Sequence, residues 1–347
     1  MKVLTCASYY GTGSSAVTDL FSEYVCVKKL GDYEFRILHD IDGVSDLEFH
    51  LVECQNRHNS GHSIKRFKKL ISFYSGSKLV KRYEPFFDNQ FSKISNEYID
   101  SLIDFKYRGW WFYDLYDKGR YYYFFKQLQN HFIRAFTKKT NNILHKEMTF
   151  CSAPSEEHFL ELTRDYTSKL LKAANKENKE YLEIDQIVPS QNLERFLRYF
   201  KDDIYVFVVD RDPRDIYLCE MLSWHSLVIP HDPIQFCKWY KYTHNESKTC
   251  KSKNVIYLHF EDLIYKYESV VETIEKTVGL NPKLHNEKFS FLNPKRSVVN
   301  TRIFQRNKKY RKEIQIIERE LQDYLYDFDS VSNNEIVGIE PSSNSIF

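Results

Sequence analysis

Two glycines and two serines near the start of the chain have the types and spacing of an anion-binding loop. The run is Tyr10-Gly11-Thr12-Gly13-Ser14-Ser15-Ala16. Glycine lets backbone N–H groups turn toward one point, and a helix that begins here adds its free amides and the positive end of its dipole. Either serine could cap that helix. We therefore predict that Gly11, Thr12, Gly13, Ser14 and Ser15 bind an anion.

The loop lacks the lysine of a nucleoside-triphosphate site. The Walker A pattern ends in Gly-Lys-Ser/Thr after four intervening residues, whereas the next lysine here is Lys28. A small-molecule kinase would lack the cation that contacts the β- and γ-phosphates. The pattern favours an anion shorter than a triphosphate.

A second candidate anion site follows an apolar run. The run Val206-Phe207-Val208-Val209-Asp210 leads into Arg211-Asp212-Pro213-Arg214-Asp215. Asp212 before Pro213 predicts a helix start, because aspartate can cap and proline suits the first helical position. Arg211 would then lie where a parallel strand ends, at the edge where ligands usually bind. Its guanidinium can hold a phosphate with two parallel hydrogen bonds.

Alternating β-rich runs and helical patterns would position both sites. The β-rich runs are Val3–Ser8, Tyr33–Leu38, Tyr181–Val188, Ile204–Val209 and Val255–Phe260. Such alternation predicts crossover connections and a mainly parallel sheet that is covered on both faces. We predict a three-layer, P-loop-like α/β fold as a single domain over residues 1–330, with a helical insertion at about 56–175. A flexible tail is predicted for 331–347.

Composition limits the class of protein. The chain of 347 residues has 50 Lys and Arg against 48 Asp and Glu, a balance that argues against a general nucleic-acid binder. Its seven scattered cysteines, without a C-x-x-C pair, predict reduced thiols in the cytoplasm rather than a zinc site or a disulfide framework. No apolar run approaches the ~18 residues of a membrane span, so we expect no integral membrane segment.

Three segments together resemble the PAPS-dependent sulfotransferases. They are the Gly-Thr-Gly-Ser-Ser loop after the first strand, the Arg-Asp-Pro-Arg-Asp motif about 200 residues later, and the strand with Glu-Asp-Leu in Val255–Leu263. The resemblance covers the first 25 residues and about 200–300. It implies transfer of a sulfuryl group from 3′-phosphoadenosine 5′-phosphosulfate (PAPS), with adenosine 3′,5′-bisphosphate (PAP) as product and no metal. The loop would hold the 5′-phosphosulfate and Arg211 the 3′-phosphate.

The sequence departs from this family at two positions. Many members have a lysine in the loop, where this chain has Gly11, and a serine eight residues after the arginine, where it has Cys219. In the family a C-terminal basic loop closes over the nucleotide. We therefore expect the segment Lys295–Arg302, with Arg296 and Ser297, to supply the missing contacts to the nucleotide phosphates. The Arg-Lys-Gly motif that is usual in this loop is absent here.

The resemblance also implies a histidine or glutamate that removes the acceptor proton. The candidates after the second strand are His39, Asp46, Glu48, His50, Glu53 and His58, of which we favour Glu48 and His58. The acceptors that are usual in this family suggest a carbohydrate-like hydroxyl as the acceptor, such as that of a bacterial surface or capsular glycan. Eukaryotic Golgi members carry a membrane anchor, so its absence favours a bacterial cytoplasmic enzyme. The aromatic clusters Trp110–Tyr113 and Tyr121–Phe125 would either line a sugar groove or pack the insertion. The oligomeric state is left open.

Two other functions fit parts of the sequence. Asp40 and Asp42 form an Asp-x-Asp pattern of the kind that holds a divalent metal and a sugar nucleotide in glycosyltransferases. The missing loop lysine would also suit a non-catalytic protein that binds a nucleotide or a glycan. Metal dependence separates the first alternative from the sulfotransferase, and binding of PAP without turnover would indicate the second.

Overall fold

The computed structural model describes residues 1–31, 33–76, 82–109, 112–137, 147–245 and 250–340. The strands are β1 Lys2–Ser8, β2 Val27–Lys29, β3 Phe105–Arg108, β4 Met148–Cys151, β5 Tyr181–Glu183, β6 Asp203–Asp210 and β7 Val255–His259. The α-helices are α1 Ser14–Ser22, α2 Val44–Glu48, α3 Ser60–Ser75, α4 Phe91–Ser101, α5 Phe112–Thr137, α6 Glu156–Ala174, α7 Leu193–Leu197, α8 Pro213–Cys219, α9 Pro233–Thr243, α10 Phe260–Tyr265, α11 Tyr267–Val278, α12 Pro294–Ser297, α13 Ile303–Arg306 and α14 Arg311–Glu320. π-Helical turns continue α2 over Phe49–Glu53 and α8 over Glu220–Trp224.

The chain forms two compact units. The sheet unit comprises Met1–Arg36 and Asn175–Phe347, and the helical unit comprises Ile37–Ala174. The helical unit overlaps the helical insertion predicted at about 56–175, and the single-domain organisation stays a prediction. Among the described residues, no helix has the length and apolar character needed to cross a membrane.

The sheet unit is built on five parallel strands in the order β2-β5-β1-β6-β7. Leu4 and Cys6 of β1 face a buried cluster that includes Phe21 of α1. Val3 and Ala7, which point to the opposite face, are also completely buried. A strand that is apolar on both sides requires cover on both faces of the sheet. The predicted α/β fold with a parallel, helix-covered sheet is confirmed.

The order of the strands defines a candidate binding edge. From β1 the chain adds β2 and β5 on one side, then crosses to add β6 and β7 on the other. Strand order therefore reverses between β1 and β6, whose residues pair from Lys2–Asp203 to Ser8–Val209. In open α/β sheets, ligands bind in the crevice outside the carboxyl ends of the strands at such a reversal.

The second strand lies earlier than the sequence predicts. Val27–Lys29 pairs with β5, whereas the predicted strand Tyr33–Leu38 does not form. The Phe35 amide donates one hydrogen bond to the Asp185 carbonyl at 3.0 Å, and the Phe35 ring is buried. The alternation of apolar residues here reflects burial of an irregular segment.

The helical unit has its own core. Ile64, Phe67 and Ile71 of α3 are buried along one face, as their spacing predicts. α4 and α6 are joined by stacking of Tyr98 on Tyr166, whose ring centroids lie 4.4 Å apart. The antiparallel pair β3–β4 also belongs to this unit and is not apparent from the sequence.

The described part of the predicted tail, 331–340, makes contacts within the sheet unit. Val331 is buried, and the Asn293 side-chain amide donates to the Ile339 carbonyl at 2.7 Å. The flexibility predicted for this tail stays a prediction.

Candidate functional site

The loop after β1 contains three residues with a left-handed backbone. Tyr10, Gly11 and Gly13 have φ angles of 83°, 69° and 84°. Gly13 is the N-cap of α1 and no side chain caps the helix, so the prediction that Ser14 or Ser15 caps it is wrong. Both serines instead lie inside the first turn, Ser14 half-buried and Ser15 exposed. The Ala16 amide donates to the Gly13 carbonyl at 3.0 Å. Within the described residues, the two amides before it, those of Ser14 and Ser15, have no acceptor in the helix and point out of this end of it.

The two glycines of the loop are enclosed by aromatic rings. A Cβ on Gly11 would lie 2.5 Å from the Trp224 ring, and one on Gly13 would lie 2.6 Å from the Phe260 ring. With positive φ angles as well, neither position tolerates a side chain without a shift of the loop. A lysine at position 11 would therefore meet the Trp224 ring.

Arg211 lies at the expected edge and reaches this loop. It directly follows β6, and its side chain is 4% exposed. One terminal nitrogen, Nη1, donates to the Gly11 carbonyl at 3.1 Å, and the other, Nη2, donates to the Asn300 carbonyl at 2.5 Å. The Nε is buried and has no hydrogen-bond partner among the residues that the structure describes. The guanidinium also lies 5.0 Å from the centroid of the Phe260 ring.

The helix start after Arg211 forms as predicted. Asp212 is the N-cap of α8, where its carboxylate accepts a hydrogen bond from the Arg214 amide, and Pro213 occupies the first turn. The Arg214 guanidinium pairs with Asp212 at 2.8 Å and with Glu318 at 3.1 Å. The two arginines of the motif therefore differ: Arg214 binds carboxylates, whereas Arg211 donates to the backbone carbonyls of Gly11 and Asn300.

The carboxyl groups near Arg211 are partly neutralised by burial. Burial raises the pKa of Glu261 to about 8, against the lowering effects of the Asp212 amide and Arg211. Burial likewise raises the pKa of Asp215 to about 6, although Arg211 acts to lower it. At neutral pH Glu261 is mostly protonated. Glu261 therefore adds little negative charge beside Arg211, whereas Asp215, with a pKa of about 6, is largely ionised at this pH.

Cys219 and the C-terminal segment both contact Arg211. The Cys219 sulfur accepts a hydrogen bond from Nη2 at 3.3 Å. The contact from the predicted loop is made by the Asn300 carbonyl. The exposed Arg296 donates to the Phe291 carbonyl at 2.8 Å, and Ser297 is half-buried. Whether Arg296 and Ser297 bind a nucleotide stays a prediction.

A cavity of about 420 Å³ opens beside this site. Its lining includes Tyr9, Asp210, His244, Tyr257, His259 and Tyr324. His244 stacks between Tyr9 and Tyr240, at centroid distances of 4.0 and 3.8 Å. Both of its ring nitrogens are engaged, Nδ1 with the Tyr240 carbonyl at 2.8 Å and Nε2 with the Asp210 carboxylate at 3.2 Å. His244 therefore holds Asp210 in place and has no nitrogen available for a substrate proton.

His259 is a candidate that the sequence reasoning missed. It ends β7, opposite Asp210 of β6 in the sheet register, and lines the cavity. Its Nδ1 is buried, and no hydrogen-bond partner for it occurs in the described part of the chain. The available signal was its position at the carboxyl end of a predicted strand.

Glu48 and His58 belong to the helical unit. Glu48, at the end of α2, is 1% exposed. His58 is exposed and lines two cavities of that unit, of about 330 and 400 Å³. Within the residues described, the Glu48 carboxyl group is closed off from solvent, whereas the His58 ring is exposed to solvent.

The Asp-x-Asp pair is occupied by protein contacts. Arg66 binds the Asp42 carboxylate at 2.7 Å, and the Tyr74 hydroxyl donates to Asp40. Within the described ranges, no group of three or more His, Cys, Asp or Glu side chains is arranged to hold a metal ion. These contacts give no support to a sugar-nucleotide site at Asp40 and Asp42.

Most of the predicted aromatic groove lies along α5. Trp110 and Trp111 fall outside the described residues. Tyr121 and Phe125 are 69% and 63% exposed, so this cluster does not pack the core of the insertion.

Comparison with known proteins gives weak matches only. No protein-family model and no curated protein matches the chain. A sulfotransferase from Mycobacterium avium is 11% identical, with a TM-score of 0.35 over 92% of this chain and 76% of that one. Retinol dehydratase, in complex with androsterone and the inactive cofactor PAP, is 11% identical, with a TM-score of 0.30 over 96% and 83%. Similarities this weak assign neither family nor function to the chain.

Proposed function

We propose that the chain is a PAPS-dependent sulfotransferase that acts on a hydroxyl group. The observation that carries the proposal is the contact between Arg211 and the Gly11 loop at the point where strand order reverses. A buried cation that binds uncharged acceptors, beside a helix N-terminus with free amides, suits two anionic groups close together. PAPS has such a pair, a 5′-phosphosulfate and a 3′-phosphate.

In this proposal the two anions are bound by different parts of the edge. The amides of the loop, with the hydroxyls of Ser14 and Ser15, hold the 5′-phosphosulfate. The Nε of Arg211, which has no partner within the described residues, can donate one further hydrogen bond. In this proposal the 3′-phosphate accepts it. Thr12, whose buried hydroxyl has no partner, offers an additional donor. Arg211 also contributes the positive charge that the loop lacks at Gly11.

The transfer itself would be an in-line displacement. The acceptor oxygen forms a bond to sulfur while the bond from sulfur to the phosphate oxygen breaks, and PAP leaves with that electron pair. The proton of the acceptor hydroxyl passes to a base, which contributes typically 10²–10⁴-fold. We propose His58 or His259 for this role, because each has an accessible cavity. The acceptor class we propose is a carbohydrate-like hydroxyl, and the cell compartment the bacterial cytoplasm.

The first experiment is a thermal-shift comparison of PAP, ATP and UDP-glucose, each with and without magnesium. PAP at ~100 times its dissociation constant adds about 2.7 kcal/mol to the free energy of unfolding, which raises the midpoint by several degrees. We expect a rise with PAP that does not depend on magnesium. A magnesium-dependent rise with UDP-glucose alone would reject the proposal in favour of the glycosyltransferase.

Variants of the two arginines then locate the site. Arg211→Gln should weaken PAP binding roughly 10- to 150-fold by calorimetric titration, the range for a hydrogen bond to a charged group. Arg214→Gln is the matched control, because that guanidinium already binds Asp212 and Glu318. Equal losses in the two folded variants would show that Arg211 has no special role.

The variants His58→Asn and His259→Asn distinguish the two candidate bases. Substitution of the residue that acts as the base should lower turnover without weakening PAP binding.

A further inference from the structure

The second part of α5 presents an apolar stripe to solvent. After an interruption at Gly119, where φ is 83° and ψ is 167°, residues 120–137 form a regular helix. The stripe consists of Tyr121, Phe125, Leu128, Phe132 and Phe136. At 3.6 residues per turn these five positions fall within an arc of about 80°. They therefore form one continuous face.

The exposure of this stripe is large. Tyr121 is 69% exposed, Phe125 63%, Phe132 53% and Phe136 85%. Single apolar residues on a surface are ordinary, but a contiguous row of large ones marks an interaction site. Gly119 also separates the row from the first part of α5, where Asp114 and Leu115 are buried.

The charges of the segment indicate the chemistry of the partner. Lys118, Arg120, Lys126 and Arg134 are basic, and no Asp or Glu occurs between Lys118 and Lys146. The whole chain, in contrast, is nearly balanced at 50 basic and 48 acidic residues. A local basic excess with no acidic residue favours an anionic partner, and an aromatic face favours a partner with an apolar layer.

A membrane surface offers both properties. A helix with basic residues on one side and Phe, Tyr and Leu on the other lies in the plane of the bilayer interface, with its apolar face about 5–10 Å deep. A second copy of this chain fits less well, because a two-fold contact would place one acid-free basic helix against another. We propose that residues 120–137 are an interfacial helix that binds bilayers containing anionic lipids.

The test is co-sedimentation of the full chain with lipid vesicles. We expect binding to vesicles of phosphatidylcholine with about 30% phosphatidylserine, and much weaker binding to phosphatidylcholine alone, since each basic residue near the surface contributes roughly fivefold. Phe125→Ser/Phe132→Ser should reduce partitioning by at least about tenfold for each phenylalanine. Lys126→Glu/Arg134→Glu should remove the preference for anionic lipid.

The matched control is Tyr242→Ser, which removes an aromatic ring that is 77% exposed on another helix, α9. It should bind vesicles like the wild type. Circular dichroism and thermal midpoints confirm that every variant is folded. The proposal is overturned if the wild type does not bind anionic vesicles, if Phe125→Ser/Phe132→Ser binds them as well as Tyr242→Ser does, or if neutral vesicles bind equally. A dimer that dissociates in the double-serine variant, without vesicle binding by the wild type, would assign the stripe to a second copy.

Discussion

Glu261 should make the stability of the protein fall as pH rises through neutrality. Its pKa is about 8 in the folded state, against an ordinary value of 4.5, because the side chain is completely buried. Between those two pH values the folded protein holds a proton that the unfolded chain has lost. The free energy of unfolding therefore decreases with rising pH, and the contribution is lost as pH passes 8.

The expected magnitude follows from proton linkage. One proton held only by the folded state changes the free energy of unfolding by about 1.4 kcal/mol per pH unit. Between pH 6.5 and 7.5, where Glu261 is still largely protonated when folded, the loss should be about 1 kcal/mol. Asp215, with a pKa of about 6, contributes mainly below this window.

The perturbation is Glu261→Gln. Glutamine has the shape of a protonated glutamate, and its carbonyl can still accept the hydrogen bond from the Asp212 amide, now 3.0 Å long. The variant cannot ionise at this position. We therefore expect its free energy of unfolding, relative to that of the wild type, to increase by about 1 kcal/mol between pH 6.5 and 7.5. Comparing the two proteins cancels the titration of the histidines, which they share.

The assay is urea unfolding at half-unit pH steps from 6 to 8.5, followed by both tryptophan fluorescence and circular dichroism. Coincidence of the two signals checks that unfolding is two-state. If the difference in stability between wild type and variant is constant over this range, Glu261 is not protonated in the native protein. Glu261 would then be a charged carboxylate beside Arg211 at neutral pH.

Three further predictions concern the proposed site at the sheet edge and the alternative site at Asp40 and Asp42. Gly11→Ala should destabilise the protein by roughly 1–3 kcal/mol in thermal unfolding, because of its φ angle of 69° and the collision with Trp224; an unchanged midpoint would contradict this geometry. Tyr240→Phe should cost about 1–2 kcal/mol in urea unfolding, because the hydroxyl donates to the Asp210 carboxylate at 2.9 Å; no loss would mean that water replaces it. Asp42→Asn should leave PAP affinity unchanged in calorimetric titration, and loss of a magnesium-dependent sugar-nucleotide signal would instead support the rival site.

The central strands could be predicted because their sequences are apolar on both faces. Val206–Val209 and Val3–Ala7 are continuous buried runs, which suit parallel strands with cover on each side. The short edge strand could not be found in this way. Among the described strands, Val27–Lys29 pairs with β5 alone, and its two lysines give no apolar signal. The prediction that a serine caps α1 was wrong for a different reason. The N-cap is Gly13 in a left-handed conformation, and no side-chain preference in the sequence indicates this.

The candidate site was predictable to the extent that it depends on strand ends. Parallel strands bring their carboxyl ends to one edge, so Gly11 and Arg211 were expected to meet there. The hydrogen bonds of Arg211 and the solvent access of Glu48 depend on packing between distant segments, which spacing does not encode. The same holds for the unpartnered Nδ1 of His259.

The loop without a lysine and the buried arginine are parts of one arrangement. Because Trp224 fills the space beside Gly11, no side chain fits there without a shift of the loop, and in the proposed site the positive charge must come from another residue. Arg211 approaches the same residue through its carbonyl, at 3.1 Å. Arg211 directly follows β6, and its guanidinium is held by hydrogen bonds to the Gly11 and Asn300 carbonyls. The edge therefore holds its cation in a set position before any ligand arrives, which lowers the free energy that must be spent on ordering when an anion binds.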